Sequence, residues 1–478
     1  MPLLDPKTWQ SHALSGGEYA VTEPATGDTL GTVTLAGAED VTTAAQAARA
    51  AQSEWARAPH FVRAAVLRKA GDLFAAHAEE LRDWIVRESG SIPGKAEFEL
   101  HVAAQECYEA AALASRPTGQ ILPSEAPRLS YARRIPVGVV GVISPFNAPL
   151  ILSIRSVAPA LALGNGVVLK PDPRTAVCGG LALAAVFAEA GLPEGLLHVL
   201  PGGAEAGQAL VADPLVPVIS FTGSTAAGRA VGEAAGRRLK RAHLELGGNS
   251  AMIVLEDADI DAVISTAAWG SFFHQGQICM TTGRHLVHAS LYEEYVERLA
   301  AKADSLHVGD PHREQVHLGP IIDDAQLAKI SGLVEASTAQ GAKLAAGGTH
   351  DRLFYRPTVL AGVDDTTPAY AEEVFGPVAP VRSFSTLDEA AALAAAGPYG
   401  LALGIVTRDT ARGLDLADRI PTGIAHINDQ TVNDEAVAPF GGVAASGTGA
   451  RFGGDANLEA FTEVRWTTVR GDVAGYPF

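Results

Sequence analysis

The sequence predicts an α/β protein built on parallel sheets, and three observations lead there. Between Val137 and Phe221, short apolar runs rich in valine and isoleucine alternate with helical patterns, as strands covered by crossover helices do. The same alternation restarts at Ser250-Ala251-Met252-Ile253-Val254-Leu255 and continues to about Thr448. At 478 residues the chain exceeds what one core organises, so two or three domains are expected.

Taken in order, a β-like region runs over 19–33. Asp40 is placed to cap a helix through about Ala58. A second helix is predicted over 61–86, where Leu67, Phe74 and Leu81 recur every seven residues beside Ala70 and Trp84. Gly90 and Pro93 end it, and a third helical pattern covers about 97–114. The stretch from Pro117 to Arg134 is polar and turn-rich, alternating only near 129–132, and reads as an excursion from the core. Strands are then predicted over 137–143, 166–169, 197–200 and 216–221, with a helix through Leu163 after the first and another over 178–190. Asn147, Lys170 and Thr222-Gly223-Ser224 each follow directly on a strand. Parallel sheets bind ligands outside the carboxyl ends of their strands, so these residues converge on one place. In the second unit helices are expected near 259–273, 291–306 and 323–340, and the tail over 461–470 alternates as a strand.

Hydrophobic residues make up 47% and charged ones 19%, the balance of a soluble globular chain. The formal net charge of -18 opposes a phosphate backbone, so nucleic acid is not an expected partner. Three cysteines cannot form a disulfide framework in so long a chain, and a reducing cytoplasm fits that usage. The opening Met1-Pro2-Leu3-Leu4-Asp5-Pro6 lacks the basic-then-apolar order of a signal peptide. From Ile135 to Ile154 an uncharged run is long enough to span a bilayer. Pro136, Gly138, Gly141, Pro145, Asn147 and Pro149 interrupt it, and a lipid-exposed helix could not satisfy that backbone. A buried strand, a tight loop and a helix is the expectation, with no membrane partner.

Of the cysteines, Cys107 falls in a helical pattern and Cys178 among small apolar residues, where a free thiol packs as a small hydrophobe. Cys279 differs. Gln275, Gly276 and Gln277 before it, and Thr281, Thr282 and Gly283 after it, place it on a loop. Alone it too would read as a packing residue. No paired His or Cys stands at metal-ligand spacing, and no metal is expected.

Seven motifs supply the company Cys279 needs. They are Pro145-Phe146-Asn147, Leu169-Lys170-Pro171, Phe221-Thr222-Gly223-Ser224 with Gly228, Leu244-Glu245-Leu246-Gly247-Gly248, Gly276-Gln277-Ile278-Cys279, Glu373-Val374-Phe375-Gly376-Pro377 and Pro439-Phe440-Gly441-Gly442. Each alone is weak, since Gly-rich turns are common. In this order the chain resembles the aldehyde dehydrogenase superfamily over nearly its whole length. His274, the run Ile427-Asn428-Asp429-Gln430-Thr431-Val432 and the Tyr476-Pro477-Phe478 end are most similar to the benzaldehyde and vanillin dehydrogenases within it.

The resemblance implies a Rossmann-type NAD(P)-binding domain (1–118 and 138–247), an α/β catalytic domain (248–448) and a small β oligomerisation element (119–137 and 449–478) joining a homodimer or homotetramer. It implies NAD(P)-dependent oxidation of an aldehyde to the acid. That chemistry needs a thiolate at Cys279 to attack the carbonyl, giving a thiohemiacetal whose carbon can release hydride. The Asn147 amide and the Cys279 N–H are then the oxyanion donors, each worth roughly 2.7–4 kcal/mol in such holes. Glu245 is the general base for the water that hydrolyses the thioester, and its apolar neighbours make a raised pKa the expectation.

The implied coenzyme residues are Lys170 on the adenosine ribose, Glu373 on the nicotinamide ribose and Phe375 beside the nicotinamide. Gly223 and Ser224 open a helix toward the pyrophosphate, and Ile143, Pro145, Phe146 and Leu246 complete the set. Where many NAD-preferring relatives place a glutamate after Lys170-Pro171, this chain has Asp172-Pro173-Arg174. That removes an acid which would repel a 2′-phosphate, so NAD and NADP both stay open. The implied substrate tunnel takes Leu152 and Arg155 from the helix after Asn147, Phe440 opposite and Ile278 beside the nucleophile. Such walls suit an aromatic ring. Arg155 either forms a structural ion pair or contacts the ring or its hydroxyl substituent. The alternatives are an aliphatic or semialdehyde substrate, a CoA-acylating enzyme, against which Glu245 argues, and a non-catalytic binding protein of the same fold.

Overall fold

The computed structural model describes residues 3, 4 and 14–478; apart from Leu3 and Leu4, the Met1–Pro6 stretch lies outside the described residues. The β-like region is an antiparallel pair, β1 (Glu18–Thr22) and β2 (Thr29–Thr34). Helix α1 (Ala38–Trp55) is capped by Gly37, not by Asp40. Asp40 lies one turn in, where its carboxylate accepts the Gly37 N–H at 2.8 Å and the Ser15 N–H at 2.9 Å, neutralising donors the helix start leaves unpaired. The single helix predicted over 61–86 is two, α2 (His60–Ala76) and α3 (Ala78–Ser89), divided at His77. Leu67, Phe74 and Leu81 are buried on both sides of the break, which is why their spacing read as continuous. Helix α4 (Pro93–Leu113) starts earlier than predicted. Pro93 occupies its first turn, where the missing N–H costs nothing.

Next come β3 (Gly119–Ile121) and β4 (Leu129–Pro136). The first parallel sheet is built from β5 (Val139–Ile143), β6 (Gly166–Lys170), β7 (Leu197–Val199), β8 (Val218–Thr222) and β9 (Arg241–Glu245), with helices α5 (Pro149–Ala162), α6 (Ala182–Glu189), α7 (Ala204–Ala212) and α8 (Thr225–Gly236) between them. Its order is β7-β6-β5-β8-β9. Every residue of β5 is buried, and a Cβ at Gly141 would press on Val216 at 2.9 Å and Leu210 at 3.0 Å. The chain leaves β5 on one side for β6 and β7, then returns on the other for β8 and β9. That reversal opens a crevice beyond the carboxyl ends of β5 and β8. Glu245 pairs in register with Thr222 at the same end.

The second sheet takes β10 (Ser250–Val254), then, after α9 (Ile260–Phe272), β11 (Thr282–His288). Beyond α10 (Tyr292–Ser305) and α11 (Asp324–Ala339) it adds β12 (Lys343–Ala346), β13 (Thr358–Ala361), β14 (Val378–Phe384), β15 (Ala402–Val406) and β16 (Ile424–Ile427). The order is β12-β13-β14-β11-β10-β15-β16, parallel except between β12 and β13. The tail strand β17 (Thr462–Val469) pairs antiparallel with β4 along its whole length, and β3 lies on the far side. The polar stretch over 117–134 is therefore not a bare excursion; its alternation near Leu129 marks the middle strand of a three-stranded sheet. The uncharged run from Ile135 to Ile154 resolves into β5, a loop and the start of α5. No helix among the described residues is long and apolar enough to cross a membrane.

Candidate active site

The crevice is closed from the second sheet by the loop between α9 and β11. His274 (φ 49°), Gln275 (φ 55°) and Gly276 (φ 66°) are three consecutive left-handed residues, a turn that only specific tethers hold. Gln275 Nε2 donates to Gly90 O at 3.0 Å and Pro320 O at 2.8 Å, and Gln277 Oε1 accepts the Ile322 N–H at 3.1 Å. A Cβ on Gly276 would collide with the Gly376 carbonyl. The motif glycines thus let the Glu373–Pro377 segment press against the loop that presents Cys279.

Two cavities meet at that cysteine. The larger, about 380 Å³, is lined by Leu152, Arg155, Ile278, Phe440, Trp269 and Phe273 among others. The smaller, about 150 Å³, is lined by Pro145, Phe146, Gly223, Ser224, Leu246, Glu373 and Phe375 among others. Cys279, Asn147 and Leu152 line both. Ile143, Lys170 and Glu245 line neither; the first two are register partners at the ends of β5 and β6, and Lys170 Nζ donates to Gly202 O at 2.7 Å.

Cys279 at the junction and Glu245, close enough to act on it electrostatically, both resist ionising. Burial pushes the Cys279 thiol up to about 12, helped by Glu373 and Glu245 and opposed by Arg155. Burial raises the Glu245 carboxyl well above the usual range, while Arg155, Arg451 and the Gly442 backbone pull the other way. Neither Glu245 oxygen makes a hydrogen bond of normal geometry among the described residues. Strand β9 holds it there: Gly223 N–H donates to Glu245 O and Leu246 N–H to Ser446 O. Gly441 leaves room for it, since a Cβ there would meet Glu245 Oε1 at 2.7 Å.

The residues present suit a dinucleotide. Glu373 is half-buried, its Oε1 accepts the Gly248 N–H at 2.8 Å, and a Cβ on Gly247 would strike its carboxylate. Phe146 stands edge-on to Phe375 at 5.9 Å between centroids. The Ser224 hydroxyl caps α8 by accepting from Ala227 N–H at 3.3 Å, leaving the helix start turned to the crevice. Arg174 lies 4.2 Å over the Phe146 ring and bridges Asp172 and Asp323.

The aldehyde dehydrogenase family pattern matches residues 9–467. The chain belongs to the aldehyde dehydrogenase family. A vanillin dehydrogenase from Amycolatopsis sp. is 71% identical, with all of both chains covered. A benzaldehyde dehydrogenase [NAD(+)] from Pseudomonas putida is 50% identical over 97% of this chain and 95% of its own. A betaine aldehyde dehydrogenase point mutant from Staphylococcus aureus, solved with NAD+, superposes with a TM-score of 0.95 at 28% identity, covering 99% of each chain. This aldehyde dehydrogenase is accordingly an NAD(P)-dependent oxidoreductase.

Several residues of the aldehyde dehydrogenase cavity escaped sequence reasoning. Lys95, Phe98 and Glu99 of α4 line the larger cavity, as do Trp269 and Phe273, whose rings stack at 4.2 Å. An aromatic pair at i, i+4 after Asp259 was a visible signal, although such stripes usually mark core. Arg155 has its carboxylate, Asp434, and its guanidinium also lies 4.3 Å over the Phe440 ring. Its Nε and Nη1 have no hydrogen-bond partner among the described residues.

Proposed function

We propose that this aldehyde dehydrogenase oxidises aromatic aldehydes of the benzaldehyde and vanillin kind to their acids, with Cys279 as nucleophile, Asn147 as oxyanion donor and Glu245 as general base. One observation carries the reading: an apolar cavity walled by Phe440, Phe273, Leu152 and Ile278 meets the cavity lined by Phe146, Glu373 and Phe375 only at Cys279, Asn147 and Leu152. The named relatives with high identity act on vanillin and benzaldehyde.

The Cys279 thiolate, its proton lost to water, adds to the aldehyde carbon, the Asn147 amide donates to the resulting oxyanion, and the tetrahedral carbon then gives up hydride to leave the thioester. Glu373, Phe375 and Phe146 would hold a nicotinamide, which would supply the hydride acceptor. Asn147 is buried and Cys279 partly so, which lowers the dielectric in which the fixed dipoles act. Glu245, ionised, then removes a proton from the water that attacks the thioester, and its seclusion from other hydrogen bonds leaves both oxygens free for that proton. NAD and NADP are both accepted on this reading. Asp172, the one acid next to Pro173, is committed to Arg174 through 2.9 and 2.8 Å bonds, so no free carboxylate opposes a 2′-phosphate. The first sheet is the coenzyme-binding domain and the second the catalytic one. The three-stranded sheet exposes Ile121 and Leu129 on one side and Val464 and Trp466 on the other, apolar surface suited to a homodimer or homotetramer. Three free cysteines fit a cytoplasmic site of action.

The test compares kcat/KM for benzaldehyde, hydroxylated benzaldehydes, hexanal and acetaldehyde with NAD and with NADP, in native protein and Arg155→Leu. Aromatic aldehydes should lead, and Arg155→Leu should cost the hydroxylated ring most. A preference for short aliphatic aldehydes contradicts the reading.

A further inference from the structure

Behind Asn147 lies a buried ion pair to which none of the chemistry above gives a task. Lys95 and Glu99 stand one turn apart on α4, 2% and 0% exposed, and pair directly with each other. A buried pair of this kind is seldom the most stable choice, because well-packed apolar residues of similar volume do as well or better. What it contacts is specific. Lys95 Nζ donates to Asn147 O at 2.7 Å. Glu99 Oε2 accepts the Leu150 N–H at 3.0 Å and the Ile151 N–H at 3.4 Å. Pro149 opens α5, so Leu150 and Ile151 carry N–H groups that have no partner within the helix. The segment from Asn147 to Ile151 is thus gripped at both ends by two side chains of another helix, themselves locked together. Lys95 and Glu99 also line the larger cavity, so the grip sits beside the reacting centre.

We propose that Lys95 and Glu99 are a positioning clamp that sets the Asn147 amide against the oxyanion: Lys95 fixes the Asn147 carbonyl, and Glu99 fixes the start of the helix that follows. The inference rests on the reading of Asn147 as the oxyanion donor. Neither clamp residue touches the reacting atoms on this account. Their effect passes through Asn147, and displacement of a catalytic group by about 1 Å costs on the order of 100-fold in rate.

A double-mutant cycle tests it, read as the single-turnover rate of NADH formation with benzaldehyde. Lys95→Met should slow hydride transfer about 10–100-fold with KM for NAD unchanged. In an Asn147→Ala background the same substitution should cost less than about 3-fold, because the group it positions is gone. Equal losses in both backgrounds overturn the clamp while leaving the role of Asn147 intact. Full activity in Asn147→Ala overturns the oxyanion reading and the clamp with it. Lys95→Met strands a buried carboxylate and can fail to fold. The neutral pair Lys95→Met/Glu99→Gln keeps a carbonyl acceptor for Leu150 and removes that charge. It should melt close to the native protein and still lose the hydride step; native rates in the folded neutral pair overturn the proposal.

Discussion

At Glu245 and Cys279 the fold asks two acids to ionise where water is scarce. Both are raised chiefly by burial, and each is raised further by neighbouring carboxylates or relieved by a guanidinium. A general base works only in its ionised form, so deacylation should strengthen as pH rises through the elevated Glu245 pKa. Arg451 lowers that pKa, and its Nη1 is fixed by Gly442 O at 3.1 Å and Ala450 O at 2.9 Å. Removing the charge raises the carboxyl further. Arg451→Leu should therefore move the acid limb of the kcat profile upward by on the order of one pH unit, and Arg451→Lys should restore most of it. A limb that stays put, or moves to lower pH, refutes the electrostatic role. The junction residues were legible because the motifs name them. The charges behind them were not. Asp434 lies 279 residues from Arg155 in sequence, and Lys95 fell before the start predicted for its helix. An i, i+4 Lys–Glu pair also reads first as a solvated helix face.

Among the elements, the loop from Phe273 to Gly276 does the most with the fewest residues. Its left-handed backbone is read only weakly from sequence, since Gln275 rarely adopts φ > 0 and His274 does so only more often than most residues. Gly276 could be foreseen as a turn residue, but not that the Gly376 carbonyl occupies the space of its missing side chain. Gly276→Ala should pay both penalties: about 1–2 kcal/mol for the left-handed conformation and the displacement of the Glu373–Pro377 segment. Activity should fall by about 100-fold or more, as expected for a nucleophile shifted by about 1 Å, and thermal melting should drop. A Gly276→Ala protein with native kcat and coenzyme KM contradicts the account of this loop. Strand β9 was missed altogether. Arg241-Ala242-His243-Leu244-Glu245 is too polar to read as a core strand, and only its pairing with β8 makes it one. The break at His77 was missed because the apolar stripe passes across it without a change of spacing.

At the scale of the whole molecule, the α/β class and the convergence of Asn147 and Thr222-Gly223-Ser224 were legible, because buried parallel strands declare themselves as apolar runs; Lys170, expected at the same place, lines neither cavity. The partnership between the 117–134 stretch and the tail was carried only by the family resemblance. It joins segments more than three hundred residues apart, and nothing in either alone fixes the register. What the assembled molecule achieves is a junction: one sheet supplies Asn147, the other supplies Cys279, two cavities open on that point, and Glu245 at the end of β9 acts on the thiol electrostatically. The central claim is that Cys279 carries the substrate as a thioester which Glu245 then helps water to cleave. The direct measurement is intact-protein mass spectrometry of Glu245→Gln after one addition of benzaldehyde and NAD, with NADH followed in parallel. The account predicts up to one NADH per site, a benzoyl adduct confined to Cys279, and very slow further turnover. Unchanged steady-state turnover in Glu245→Gln, or a burst without an adduct on Cys279, would contradict it.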